Sequence, residues 1–388
     1  MDNKVYIIRC PGYDKARDRV EALLGMMGGI DRFAAPDESI VLKVNLLRPA
    51  DAQEAVSTHP AVVAAVAGMI RERGAKPVIA DSPGAGYWYN LKTLDKIYRK
   101  CQMYQAAEEA GAEVNLDTSY ETVSFSRGKL IKRFEIISPV LGADGIFNMC
   151  KLKTHSFMHM TGAVKNNFGV IPGLAKPGYH AKLKDTGRFA QMLLDLADVV
   201  SPRVSIMDAV VAMEGDGPSA GTPRRVGLLL GATNPLALDV VAGEIINLPR
   251  KRNPLLIEAE KRGLEPHHVS QVEVVGEDPS DLRMEDFKLP PTIFEGTGFG
   301  AHLVWWQRLL EPIFEDALTV KPRILREKCI ACEACKDACP VKAISMADQQ
   351  YASIDEKKCI RCYCCHEMCA EEAVILHRPW LNRLVKPW

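Results

Sequence analysis

Eight of the chain's twelve cysteines fall near the C-terminus in two copies of one pattern. Cys329, Cys332, Cys335 and Cys339, followed by Pro340, read C-x2-C-x2-C-x3-C, and Cys359, Cys362, Cys365 and Cys369 repeat that spacing. Such a run suits a cubane iron-sulfur cluster. A tight loop lets three thiolates converge while its backbone N–H groups point at the sulfides, and a fourth thiolate arrives from a separate segment. Zinc sites use similar C-x2-C pairs, but a longer loop separates the pairs and no third cysteine follows two residues on. No secretory leader is read at the N-terminus, so disulfides are not expected. The chemistry these spacings predict is one-electron transfer.

Two details depart from a regular run. Ala370 stands where a proline often follows the last ligand, which alters a turn rather than a ligand, and Cys364 beside Cys365 is either a bystander thiol or an alternative ligand. Cys10, Cys101 and Cys150 are too scattered to form a third run and read as buried core thiols.

A second chemistry is carried by polar segments that follow strands, where open α/β sheets bind ligands. The first is DSPGAG, with Asp81 and Ser82. The second is KLKTHSFMHMTGAVKNNFGVIPG from Lys151 to Gly173, and the third is MDAVVAMEGDGPSAGTPRR from Met207. With residues 151–155 extended, Lys151, Lys153 and His155 project to one side. With a helix starting near Thr161, Thr161 and Lys165 share a face, and the free N–H groups at that start favour an anion. Thr154 and Asn166 complete a phosphate or carboxylate pocket in which Lys153, His155 and Lys165 neutralise charge and supply protons. A solvated loop of ordinary surface lysines is the competing reading. In the third segment Asp208 and Glu214 are candidates for Mg²⁺ binding or general base work, with Asp216 and Asp239 behind them, although turn and cap chemistry explains the same residues. No G-x-x-x-x-G-K-S/T loop and no G-x-G-x-x-G after a strand is present.

The elements that must position these residues alternate strand and helix patterns over about the first three hundred residues, as a layered α/β domain does. Strands are expected from Val5, from Ser39, at PVIAD, at 121–125, 131–137 and 145–149, at RVSIMD and at RVGLLLG. Helices are expected over 14–28, over THPAVVAAVAGMIRERG with Thr58 as cap and Gly74 as stop, over 186–200, and at PLALDVVAGEII. The sheet is expected to be mixed or mostly parallel. The expected organisation is an α/β substrate- or partner-binding domain at 1–300, an amphipathic connector at 301–319, a cluster domain at 320–376 and a basic, aromatic tail at 377–388. Charge balances at 49 basic and 49 acidic side chains, so no nucleic-acid footprint is implied. The longest apolar runs fall short of the roughly 18 to 20 residues that span a bilayer, and a cytoplasmic location is expected.

On KVNLL, GAKPVIADSPG, the 151–173 segment, MDAVVAMEGDGP and NPLALDVVAGE, the chain from Val5 to Val275 resembles the family called domain of unknown function 362. The cysteine runs resemble a two-cluster bacterial-type ferredoxin, an α+β module. That resemblance implies interleaved ligation, because the fourth cysteine of each run serves the other run's cluster. Cys329, Cys332, Cys335 and Cys369 would hold one 4Fe-4S cluster, and Cys359, Cys362, Cys365 and Cys339 the second. The domain family brings no assigned reaction. The leading expectation is an iron-sulfur oxidoreductase that relays electrons from a redox partner protein to an anionic substrate or cofactor on the α/β domain. The alternatives are an electron-transfer subunit that docks on a partner enzyme and a redox-responsive binding protein.

Overall fold

A computed structural model describes residues 2–294, 320–347 and 350–377. The expected connector at 301–319 and the tail from residue 378 lie outside the described residues.

The α/β part is built on a nine-stranded mixed sheet. Its strands are β1 (Lys4–Arg9), β2 (Ser39–Lys43), β3 (Lys76–Ala80), β4 (Glu113–Val114), β7 (Gly145–His155), β8 (His159–Thr161), β9 (Val204–Glu214), β10 (Thr222–Ala232) and β11 (Glu273–Gly276). The order is β11-β1-β10-β9-β7-β2-β3-β4, with β8 folded back on the end of β7. The central strands β9, β7, β2, β3 and β4 run parallel, whereas β10 is antiparallel to both β1 and β9. β5 (Tyr120–Ser124) and β6 (Arg133–Ile137) form a separate hairpin. Apolar helices cover both faces. Pro60–Glu72 and Ala16–Met26 close one core, and Thr186–Val200 and Pro235–Ile245 pack on the other side of the sheet.

Two local expectations change. His59, not Thr58, caps the helix at Pro60: its Nδ1 accepts the Ala61 amide at 3.2 Å. Thr58 instead ties the chain leaving β2 to the middle of β7, accepting the Asn45 amide and donating to the Met149 carbonyl. No helix begins at Thr161, because β7 runs on to His155, turns, and returns as β8 through Thr161 before a short helix at Ala163–Asn166. The amides of Ala163 and Val164 at its start are both taken by the buried Asp239 carboxylate.

The C-terminal module repeats itself at an offset of thirty residues. Ala331, Glu333 and Lys342 take left-handed backbone conformations, and so do Arg361, Tyr363 and Glu372. Left-handed residues in a loop turn successive N–H groups inward, as a sulfide-rich group requires. β12 (Lys321–Ile324) pairs with β15 (Val374–His377), and β13 (Ile344–Ala347) with β14 (Tyr351–Ile354), so each ribbon closes over both runs.

Candidate functional site at the junction of sheet and cysteine module

A cleft lies beyond the carboxyl ends of β2, β3 and β7, with about 530 Å³ of empty space when the solvent at its mouth is included. Its walls are the residues after β2 (Asn45 to Leu47), the Asp81–Ala85 loop after β3, Lys153 and His155 at the end of β7, the Thr161–Gly169 segment, Lys176 and His180, and Glu367 from the cysteine module.

Four lysines border this cleft, and they are not equally partnered. Lys43 lies 2.8 Å from Asp81, whose carboxylate also accepts the amides of Leu46 and Ser82. Gly169 lets the chain pass this pair: a Cβ there would sit 2.1 Å from Asp81 Oδ1 and 2.4 Å from Lys43 Nζ. Lys176 donates to the carbonyls of Ser82 and Pro83, and Lys153 to the Val56 carbonyl at 2.6 Å. For Lys165 no hydrogen bond or carboxylate partner occurs among the described residues, and its ammonium lies 5.9 Å from the centre of the Phe168 ring. Burial pushes Lys153 well down, with Lys165 adding to the effect; it lowers Lys165 and brings Lys176 to about 7 against the opposing pull of Asp81.

His155 Nδ1 accepts the amides of Phe157 and Met158, so in the neutral ring the proton sits on Nε2. Burial and the nearby Lys165 hold that ring neutral. Its Nε2 lies 3.1 Å from Glu367 Oε1 and has no well-aligned acceptor. His155 is therefore a hydrogen-bond donor into the cleft rather than a base. Thr161 Oγ1, Ser82 Oγ, Asn45 Oδ1 and His180 Nδ1 are likewise buried without partners among the described residues. Buried polar atoms are nearly always satisfied, so a cluster of unsatisfied ones lining one cleft marks a place for a polar ligand or ordered water.

The cysteine module docks against this cleft. Ser219 Oγ donates to the Glu367 carbonyl at 2.6 Å, and His366 Nε2 lies 3.0 Å from the Asp216 carbonyl. Ala85 packs with Ala338, Cys362, Cys364 and Met368. Gly86, at φ +94°, allows the approach, since a Cβ there would come within 2.9 Å of the Ala338 Cβ.

Two hollows occupy the module. One is bordered by Cys329, Cys332, Cys335 and Cys369, the other by Cys339, Cys359, Cys362 and Cys365. Cys339 and Cys369 each accept an amide at 3.1 Å, from Ala343 and Ala373. Among the described residues no three Cys, His, Asp or Glu side chains gather as a single ion requires. Four sulfurs spread round a hollow, with amides aimed at them, suit a polynuclear cluster better than one zinc ion. Cys364 borders neither hollow and is buried in the apolar contact with the α/β domain.

Of the residues singled out from sequence, the cleft gathers Lys153, His155, Lys165, Thr161, Asn166, Asp81 and Ser82. Lys151 turns elsewhere: the register of β7 on β9 shifts between Lys151 and Lys153, and Lys151 pairs with Asp208 at 2.8 Å beside the Tyr13 hydroxyl. Thr154 is held by the Met213 carbonyl and the Gly217 amide, and Glu214 accepts the Lys288 amide. Lys43, Asn45, Lys176, His180 and Glu367 were missed. Lys43 sits within an otherwise apolar strand, where a lone lysine is itself a signal of a buried partner; Glu367 carried no comparable mark.

Comparison with known proteins matches two stretches of the chain. A family model described as domain of unknown function (DUF362) matches residues 40–244, and a 4Fe-4S binding domain matches residues 322–345. The thylakoid-associated protein sll1697 of Synechocystis sp. is 32% identical over 306 residues, covering 76% of this chain and 89% of that protein. Among solved structures, the lactate racemase apoprotein from Thermoanaerobacterium thermosaccharolyticum aligns at 12% identity and a TM-score of 0.40, over 61% of this chain and 55% of that one. A protein from Thermotoga maritima aligns at 12% identity and 0.33, over 53% and 52%. The chain thus spans about half the length of those two structures. With a matched region that fills more than half of its length and a relative at this identity, the chain belongs to the domain of unknown function 362 family and carries a 4Fe-4S binding domain at its C-terminal end.

Proposed function

We propose that this chain is an iron-sulfur oxidoreductase that binds a small anion in the cleft between its two parts. The observation that carries the reading is Glu367. It forms one wall of the cationic cleft and stands between Cys365 and Cys369, one cysteine from each hollow. Cys329, Cys332, Cys335 and Cys369 would hold one 4Fe-4S cluster and Cys339, Cys359, Cys362 and Cys365 the other; the interleaved sets round the two hollows support that count. When bound, such clusters supply single electrons.

The two hollows differ in exposure, which gives the module a direction. Cys332 is exposed and its neighbour Ile330 is 64% exposed, so the first hollow faces a redox partner protein. Cys362 and Cys365 are buried, and the second hollow faces the α/β domain. In the cleft, Lys153 and Lys165 have no carboxylate within ion-pair distance among the described residues, feel the attraction of Glu367, and would balance the ligand's charge, while His155 and Thr161 offer donors that a substrate oxygen would accept. The described residues contain no helix long and apolar enough to cross a membrane. Given the thylakoid association in the relative's name, cell fractionation should distinguish a free cytoplasmic location from attachment at a membrane surface.

Anaerobic calorimetry with oxalate as probe tests the anion site. The wild type should bind, and Lys153→Ala with Lys165→Ala should not, while iron content stays at about eight atoms per chain. Equal affinity in the double variant would sink the reading. Cys339→Ser should disturb the cluster shared with Cys359, Cys362 and Cys365; disturbance of the other would overturn the interleaved assignment.

A further inference from the structure

The amines around the cleft sort by what already holds them. Lys43 has Asp81 and a carbonyl, Lys176 has two carbonyls, and Lys153 has one. Lys165 has no hydrogen-bond acceptor among the described residues; its side chain is partly exposed, while its amine end, on the wall of the cleft, is desolvated. The turn that presents it is fixed from behind: Asp239 clamps the amides of Ala163 and Val164, and Gly162 makes room for that carboxylate, since a Cβ there would lie 2.0 Å from Asp239 Oδ1.

Burial and the positive Lys43 favour the neutral amine at Lys165, against the opposing pull of Glu367 and Cys364. A desolvated lysine beside other cations is the arrangement that makes an amine nucleophilic at neutral pH. Around it stand unsatisfied donors for a developing alkoxide, His155 Nε2 and Thr161 Oγ1, and a second amine, Lys153, which burial pushes well down and which a bound carboxylate would draw back to its charged form.

Building on the anion-site reading above, we propose that Lys165 captures a small 2-oxo carboxylate as an imine, with Lys153 holding the carboxylate and His155 and Thr161 at the carbonyl oxygen. The Nζ lone pair attacks the carbonyl carbon, forming a C–N bond as the C=O π bond breaks. The nitrogen passes one proton to the oxygen, giving a carbinolamine; the hydroxyl then takes up a second proton and leaves as water as its C–O bond breaks, and the nitrogen gives up its second proton, leaving C=N. Nothing is oxidised or reduced in this step, and no co-reactant is needed. Capture fixes the carbonyl carbon at the wall of the cleft that Glu367 shares with the cysteine module, and an imine accepts electrons more readily than the parent carbonyl when protonated.

The test is reductive trapping on the anaerobic, full-length, cluster-loaded protein. Pyruvate is added, cyanoborohydride reduces any imine to a stable amine, and the denatured chain is weighed and digested. One reduced pyruvate adduct, located at Lys165 and lost in Lys165→Arg, is the expected result. Adducts at Lys153 or Lys176, or spread over surface lysines, overturn the proposal. Calorimetry with pyruvate separates its failure from that of the anion site: binding without an adduct removes the imine and leaves the anion pocket, whereas neither binding nor an adduct removes both. Should Lys165→Arg fail to fold, the adduct map of the wild type decides alone.

Discussion

Lys151 and Lys153 stand two residues apart on one strand, both are buried, and they end in opposite situations. Lys151 lies 2.8 Å from Asp208, within a network closed by the Tyr13 hydroxyl and the amides of His59 and Val210. Lys153 has one carbonyl and faces Lys165 across the cleft. A closed network of charges is self-sufficient and serves the fold. An open one, with unpaired ammonium groups and unsatisfied donors around a void, is costly unless a ligand completes it. The difference separates a structural buried lysine from a functional one where composition and spacing treat them alike.

The comparison breaks most directly at Lys151. Lys151→Ala leaves Asp208 buried without its cation and should cost about 3–5 kcal/mol in denaturant unfolding, with oxalate affinity unchanged in the folded fraction. A loss below about 1 kcal/mol would mean that the network does not depend on its charge pair. Next comes Asp239. Asp239→Ala strands two buried amides and should cost about 2–3 kcal/mol while weakening anion binding, because the turn that carries Lys165 loses its anchor; Asp239→Asn, which keeps one acceptor, should cost less on both counts.

The open network predicts the reverse sign. Lys153→Met with Lys165→Met removes two amines that have no carboxylate within ion-pair distance among the described residues and should raise stability by about 1–2 kcal/mol as it abolishes oxalate binding. Destabilisation instead would show that these lysines serve the fold. The smallest effect is a pH dependence. Lys176, with a pKa of about 7, faces Asp81, Lys43 and Lys165, and a bound anion raises its affinity for a proton. Below pH 7 it is already charged and affinity should be flat. Above pH 7 binding must take up a proton, so Lys176 alone should make affinity fall by up to about tenfold per unit; Glu367 on the same cleft, pushed up to about 7 by burial, loses its proton in this range too, so Lys176→Met should lessen the fall rather than remove it.

Much of the fold was legible because apolar periodicity and punctuation agree. The helix over 186–200 and the strand after Ser39 follow from pattern alone, and Gly74 stops its helix at φ +90°. Thr58 reads as the cap at Pro60 because a threonine two residues before a proline is an ordinary cap, whereas tertiary contacts draw it to Met149 and leave the task to His59. In the cleft, the 151–173 segment announced itself by density of donors. What no local pattern could reveal was the register shift after Lys151, which sends two alternate lysines to different surroundings, or the arrival of Glu367 from a segment more than two hundred residues away.

Electron paramagnetic resonance tests most directly whether the cleft and the cysteine module form one site. In the dithionite-reduced protein, oxalate should shift the signal that Cys339→Ser disturbs and leave the other signal unchanged, and Lys153→Met with Lys165→Met should remove the shift. Oxalate that binds by calorimetry yet leaves both signals unchanged would contradict the account.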